Sequence, residues 1–224
     1  MKRIGGLVLE NTGVCRLAGF PLSHAFSTTK LGNMSKKYGK ETAKDNQARF
    51  FKLVGVESAK VVYILPEFEN KVLIVNKEKN EGYQCDGLIS FRKGVVLALC
   101  PGDCAPVFIS DIDLTFVGLL HVGRKNLVEI LDSAMAKIED LGFCPKEIIV
   151  GIGPSIRECC YEIDMPSKIE EYLVSNHGIP TQQIFNAEVC TSCTQTENSY
   201  LFFSHRRSQN LKEPEGRFIA VAWL

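Results

Sequence analysis

The sequence predicts a layered α/β (α+β) sandwich, with mixed sheets at its centre and helices outside. Three observations lead there. Ten short runs read as strands, and several are continuously apolar, as strands covered on both faces are. Only three segments carry helical spacing. No Ser/Gly tract, low-complexity stretch or internal repeat breaks the 224 residues, so one domain over residues 1–224 is expected.

Taken in order, strands are expected at residues 6–9 and 25–28. A helix is expected over 42–54, with Ala43, Ala48, Phe51 and Leu53 on its apolar face. Strands follow at 61–64, 71–75, 87–90, 95–99, 106–110 and 115–121. The clearest helix spans 127–141, with Leu127, Ile130, Leu131, Ala134, Met135, Ile138 and Leu141 at helical spacing. Asn126 is its expected N-cap and Gly142 its stop. A strand at 147–152 leads to a helix over 167–176 behind Pro166, ending near Gly178. A strand at 218–223 closes the chain.

Hydrophobic residues make up 45% of the chain and charged residues 23%, ordinary for a globular protein. A net charge of zero, without a basic block, argues against nucleic acid as a partner. No apolar run approaches the ~18 residues that span a bilayer, so no membrane span is expected. The start of the chain lacks an apolar region long enough for export. A cytoplasmic protein with reduced thiols is expected, its nine scattered cysteines mostly acting as small buried hydrophobes.

Chemistry concentrates between residues 97 and 127. Cys104 stands in a Pro101-Gly102-Asp103 turn, and a turn exposes its side chains. His121 stands where an apolar run stops. A thiol and an imidazole are well suited to ligate a soft metal or to act as nucleophile and base. Arg124 and Lys125 close to His121 are expected to depress its pKa and keep it neutral. The helix starting at Asn126 offers backbone N–H groups to an anion such as phosphate.

Other residues leave two readings open. His24, with Ser27, Thr28 and Thr29, either contacts a ligand or satisfies neighbouring strands. His177 reads as a helix-end residue. Cys190 and Cys193 form a C-x-x-C, which needs two further ligands to hold zinc. The adjacent Cys159 and Cys160 are too strained to bridge easily. Arg206 and Arg207 either clamp an anion or form structural ion pairs, and the structural role is the expectation.

Read together, these segments resemble the laccase-domain family. It is also called multicopper polyphenol oxidoreductase, and its members are described as purine nucleoside phosphorylases. His24-Ala25-Phe26-Ser27-Thr28 is similar to the family's HGFST, and Asn46 with Arg49 to its N-R pair. Cys85-Asp86-Gly87, Gly102-Asp103-Cys104 and His121-Val122-Gly123 resemble further motifs, in the family's order. So do Gly153-Pro154, Cys160-Tyr161-Glu162, Cys190-Thr191, the stretch from Phe202 to Arg207, and Gly216-Arg217.

The resemblance implies a layered α/β sandwich related to a bacterial toxin deamidase. It also implies phosphorolysis of purine nucleosides (adenosine, inosine or guanosine) by orthophosphate, with adenosine deamination beside it. Its zinc, copper in older descriptions, is held by two histidines and one cysteine. The cysteine and second histidine fall on Cys104 and His121. The first histidine falls on Phe68, which has no donor, and the family's arginine after the second histidine falls on Lys125. Catalytic and metal roles are therefore expected of Cys104 and His121, and substrate contacts of His24, Ser27, Asn46, Arg49 and Lys125. The alternatives are a metal-free Cys–His hydrolase or deamidase, and a non-catalytic binder of a nucleoside or protein.

Overall fold

The computed structural model describes residues 1–77, 81–197 and 199–224. Its described strands form two large sheets and a small ribbon. The first sheet runs β1 (Lys2–Ile4), β2 (Leu7–Leu9), β3 (Val14–Leu17), β4 (Ser23–Ser27), β16 (Ala220–Trp223), β9 (Val96–Leu99), β5 (Val61–Leu65), β7 (Glu81–Gln84). The second runs β13 (Ile184–Asn186), β12 (Ile148–Ile152), β10 (Ala105–Asp111), β11 (Val117–Val122), β8 (Gly87–Ser90), β6 (Val72–Ile74). The ribbon pairs β14 (Gln195–Thr196) with β15 (Ser199–Tyr200). The helices are α1 (Lys40–Val54), α2 (Leu127–Asp140), α3 (Met165–His177) and α4 (His205–Leu211).

Alternation along the strands builds the layers. Phe108 on β10 and Val117 and Leu119 on β11 meet Phe26, Val62, Leu97 and Ala220 of the first sheet in the inter-sheet core. The intervening residues Val107, Ile109, Leu120 and Val122 face α2 and α3, packing on Ile130, Leu131, Ala134 and Ile169. The outer face of the first sheet buries Ala25, Val61, Ala98 and Val221 under Phe50 and Phe51 of α1. The order of layers is helix, sheet, sheet, helices, and both sheets mix parallel with antiparallel pairs. This is the predicted sandwich.

α2 presents the predicted face, with Ile130, Leu131, Ala134, Met135 and Ile138 buried. α3 starts two residues before its predicted start, because the Asp164 carboxylate accepts the Ser167 N–H and caps it. Gly178 stops α3 in the left-handed region at φ 67°. α1 corrects the expected face: Ala43, Gln47, Phe50 and Phe51 are buried, whereas Ala48 and Leu53 are exposed. Gln47 fits inside because its amide donates to the Met34 carbonyl (2.6 Å) and accepts from Tyr63 (3.0 Å).

His24 lies inside the inter-sheet aromatic core, with ring centroids 5.2 Å from Phe20 and 5.4 Å from Phe108. Its Nε2 accepts the Leu17 N–H (2.7 Å), so its proton sits on Nδ1, facing the Leu22 carbonyl (2.7 Å). Both nitrogens are spent on backbone. Burial pulls its pKa down to about 4. A depressed histidine contributes stability present above its unfolded pKa and lost as pH falls through the folded one. We expect about 3 kcal/mol of stability to disappear between pH 6.5 and 4. Chemical denaturation of wild type and His24→Asn at both pH values checks this: the gap between the two proteins should narrow by that amount in acid.

Candidate active site

The site forms where β10 begins and β11 ends. Antiparallel pairing sets Ala105 against Val122 and Pro106 against His121, so Cys104 and His121 reach the same end of the sheet. The Cys104 thiol lies next to His121, close enough to raise the pKa of its imidazole. On its far side, His121 Nδ1 meets Asp86 Oδ1 at 3.0 Å. Asp86 precedes β8, the next strand over, and its carbonyl also accepts the His121 N–H (2.7 Å). Thiol, imidazole and carboxylate therefore stand in a row.

Each member is braced. Asp86 is fully buried, and its Oδ2 accepts the N–H groups of Glu69 (2.8 Å) and Asn70 (3.2 Å). Burial works against its charge, but His121 and these backbone donors outweigh it and hold the carboxyl below the usual range. Burial likewise pulls the His121 imidazolium down, yet Asp86 and Cys104 together raise its pKa to about 9. This corrects the expectation of a neutral His121. The cations that follow it in sequence do not set its charge, because Arg124 turns to Glu162 and Lys125 lies over the Phe68 ring.

Asp103 adopts a φ of 101°, a costly conformation for a residue with a side chain. Three bonds hold it there. Oδ1 accepts the Thr191 hydroxyl (2.8 Å), Oδ2 accepts the Arg206 N–H at the start of α4 (2.7 Å), and its carbonyl accepts the Ile156 N–H (2.9 Å). The strained turn fixes where Cys104 points. After β11, Asn126 Oδ1 accepts the Gly123 N–H (2.8 Å) while its amide donates to the His121 carbonyl (3.1 Å). Asn126 occupies the predicted N-cap position of α2, but its side chain ties the turn instead of capping the helix.

A cavity of about 580 Å³ opens over Cys104. Phe68 and Tyr161 give it aromatic walls, and Arg124, Lys125 and Arg206 give it positive charge. The Arg206 guanidinium stacks 4.6 Å from the Tyr161 ring centre. Gly123 lets these groups close in: a Cβ there would lie 2.9 Å from Cys104 Sγ and 3.0 Å from Phe68 Cε1. Gly123→Ala should push Cys104 off His121 and slow turnover by about 100-fold with little change in melting temperature. Steady-state kinetics beside a thermal melt will check this.

The structure brings Cys104, His121 and Lys125 together and leaves the other expected substrate contacts elsewhere. His24 is a core residue, as described. Ser27 is fully buried, and its hydroxyl accepts the Ile219 N–H (3.0 Å). On α1, Asn46 donates to the Asn33 carbonyl (2.9 Å) and Arg49 to the Leu31 carbonyl (2.8 Å). These four groups serve backbone and do not line the cavity. Conversely, Arg206 reaches the cavity against expectation, whereas Arg207 is structural and donates to the carbonyls of Thr191, Ser192 and Phe202. Asp86 and Tyr161 escaped the residue-by-residue reading. Their only signal lay in the motifs Cys85-Asp86-Gly87 and Cys160-Tyr161-Glu162.

Two donors, Cys104 and His121, are present for the metal that the resemblance implies. Phe68 sits edge-on to His121 with ring centres 4.9 Å apart, where a third ligand would be needed. Asp86 is committed to His121 Nδ1 and to backbone. Among the described residues no third His, Cys, Asp or Glu joins this pair in a metal-sized group. A catalytic zinc takes three protein ligands and a water, so this donor set does not fit one. A metal-sized group does form elsewhere: Cys159, Cys160, Cys190 and Cys193 bring their sulfurs within 4.8 Å of one another. The C-x-x-C thus finds the two further ligands that its own sequence lacks.

The fold and this site define a laccase-like domain. The chain belongs to the family described as multi-copper polyphenol oxidoreductase laccase, whose model matches residues 16–171 and 163–224. Purine nucleoside phosphorylase YlmD of Bacillus subtilis (strain 168) is 32% identical over 154 residues, covering 55% of this chain and 54% of that protein. Purine nucleoside phosphorylase LACC1 of Mus musculus is 25% identical over 224 residues, covering 86% and 51%. The chain spans about half the length of the curated relatives it matches. The crystal structure of Bacillus licheniformis hypothetical protein YfiH superposes with a TM-score of 0.87 at 22% identity, covering 99% of this chain and all of that one. YlmD from Geobacillus stearothermophilus gives 0.87 at 22% identity, covering 98% and 99%. The relatives carry enzyme names. Among the described residues no helix is long and apolar enough to cross a membrane.

Proposed function

We propose that the chain is a purine nucleoside phosphorylase that works without a metal at the Cys104–His121–Asp86 row. The observation that carries this reading is the cavity, which sets two aromatic faces and three cationic side chains around the Cys104 thiol, with His121 buried behind it. A purine stacks against Phe68 and Tyr161, as bases do on aromatic rings. Lys125 and Arg206 draw orthophosphate to the N-terminal turn of α2. The names of the relatives favour the same substrate class.

The chemistry follows from charge. A phosphate oxygen bonds to the sugar's anomeric carbon while the bond from that carbon to the purine breaks. The departing purine gathers negative charge. His121, a cation at neutral pH with its Nδ1 proton held by Asp86, passes its other proton through the adjacent Cys104 thiol to the departing base, and the proton released by the phosphate returns along the same path. Asp86 holds the imidazolium in place and balances its charge, and Cys104 supports it from the cavity side. Release of free purine from inosine or adenosine, measured with and without phosphate, tests the proposal. Release that requires phosphate and yields ribose 1-phosphate is expected. No release under either condition would overturn it.

The thiol beside His121 favours a second reading, a cysteine hydrolase or deamidase with Cys104 as nucleophile and His121 as base. That reading expects ammonia or an acyl-enzyme on Cys104, no need for phosphate, and complete loss of turnover on Cys104 alkylation. Binding of a nucleoside without turnover would leave the non-catalytic role.

A further inference from the structure

Four of the nine cysteines remain unused by the catalytic reading and gather at one point. Cys159 and Cys160 lie in the turn after β12. Cys190 and Cys193 lie about thirty residues later, where Ser155 and Cys190 form a parallel bridge between the two loops. The Sγ atoms of Cys159 and Cys193 are 3.4 Å apart, well beyond a disulfide bond, and all four thiols are free. Four sulfurs at about 2.3 Å from one tetrahedral ion would lie about 3.8 Å from each other. The observed group brackets that spacing: Cys159 and Cys193 at 3.4 Å need to open slightly, and the wider pairs, all within 4.8 Å, to close slightly. A multi-iron cluster would need its sulfurs spread further apart.

A second observation points the same way. Cys190 is almost fully buried, and its backbone is paired with Ser155 in the bridge between the two loops. The Thr191 N–H donates to the Ser155 carbonyl (3.0 Å), so the two loops are already fixed side by side where the sulfurs gather. The Cys190 N–H is itself taken by the Thr194 hydroxyl (3.0 Å), and the Thr194 N–H returns to the Cys190 carbonyl (3.1 Å). The loop is thus held in a tight turn, with two sulfurs on one side.

We propose that Cys159, Cys160, Cys190 and Cys193 form a tetrahedral thiolate site for a structural zinc ion. Four ligands from protein close the site and leave no position for substrate, which makes the role structural. As zinc enters, the thiols give up their protons to solvent. The ion would staple the two loops that brace the active site. Thr191 and Arg206 hold Asp103, Arg207 holds the carbonyls of Thr191 and Ser192, and Ile156 and Tyr161 wall the cavity. The strained turn before Cys104 therefore rests on the loop that carries Cys190 and Cys193.

The full chain carrying Cys104→Ser, purified under reducing conditions with zinc present, tests the assignment without a contribution from the Cys104 thiol. Elemental analysis should find one zinc per chain that survives dialysis against a chelator. Cobalt exchange should give the intense charge-transfer absorption of a tetrathiolate site. Alkylation mapped by mass spectrometry should mark the exposed Cys144 and spare the four clustered cysteines until the zinc is stripped under denaturing conditions. Adding Cys159→Ser and Cys193→Ser should reduce bound zinc from one to none. If that variant fails to fold, the alkylation map in the Cys104→Ser protein decides. Free alkylation of all four with zinc present would overturn the proposal. So would disulfides among them in reduced protein, or copper or an iron–sulfur cluster in place of zinc. None of these readouts depends on purine turnover.

Discussion

Replacing His121 by alanine is expected to lower phosphate-dependent purine release by roughly 10²–10⁴-fold, the usual loss when a positioned acid or base is removed. The fold should survive. Val117 and Leu119 ahead of it on β11 hold the inter-sheet core, and Asp86 keeps the Glu69 and Asn70 N–H groups. The pH profile of the wild type supplies an independent check. The active imidazole is the protonated one and its pKa lies at about 9, so activity should decline as pH rises through that value. Asp86→Asn removes the negative charge that holds the proton on His121, and the alkaline limb should shift to lower pH. The stability supplied by this pairing follows the same sign. It is full below the unfolded histidine pKa, about 6.5, and is lost as pH rises through the folded one. A limb unmoved by Asp86→Asn would remove His121 from the acid role.

The sandwich was legible because its central strands are long apolar runs and α2 shows an unbroken apolar face. The edges were not. β1, β13 and the β14–β15 ribbon have only two or three residues, too few to display a period of two. α4 is seven residues long with polar faces, and it is set by Ser204 capping the Arg207 N–H and by Asp103 receiving the Arg206 N–H. The pair Cys104 and His121 could be read because each sits at the end of an apolar run, and strand ends collect sites. Asp86 could not be read as their partner. It stands 35 residues before His121, and its place in the row depends on β8 lying beside β11. The sign of the His121 shift was misjudged for the same reason. Arg124 and Lys125 are close in sequence, whereas the carboxylate that decides the charge is close only in space. The cysteines repeat the lesson, since two pairs separated by thirty residues meet only through the bridge between Ser155 and Cys190. Conversely, His24, Asn46 and Arg49 carry polar groups typical of ligand sites, and each is consumed by a backbone partner that the sequence does not display.

Phe68→His is expected to create a metal site where the wild type has two donors. Phe68 lies at the cavity mouth, edge-on to His121 and within reach of the space over Cys104. Its backbone is in the left-handed region, with φ 59°. A histidine there would complete a two-histidine, one-cysteine set with an open position for water, the arrangement that a catalytic zinc takes. The gain in zinc affinity should exceed about 100-fold, because even the loss of an outer-shell partner costs about 10–100-fold. Since zinc would compete for the nitrogen that meets Cys104, the metal-loaded variant should lose the alkaline limb near pH 9 that marks the wild type. Competition titration with a chromophoric chelator, run with Cys159→Ser and Cys193→Ser also in place, isolates this site from the four-cysteine group. Equal zinc affinity with phenylalanine and histidine at position 68 would mean that this side chain does not face the Cys104–His121 pair in solution, and the absence of a third donor would then need another cause.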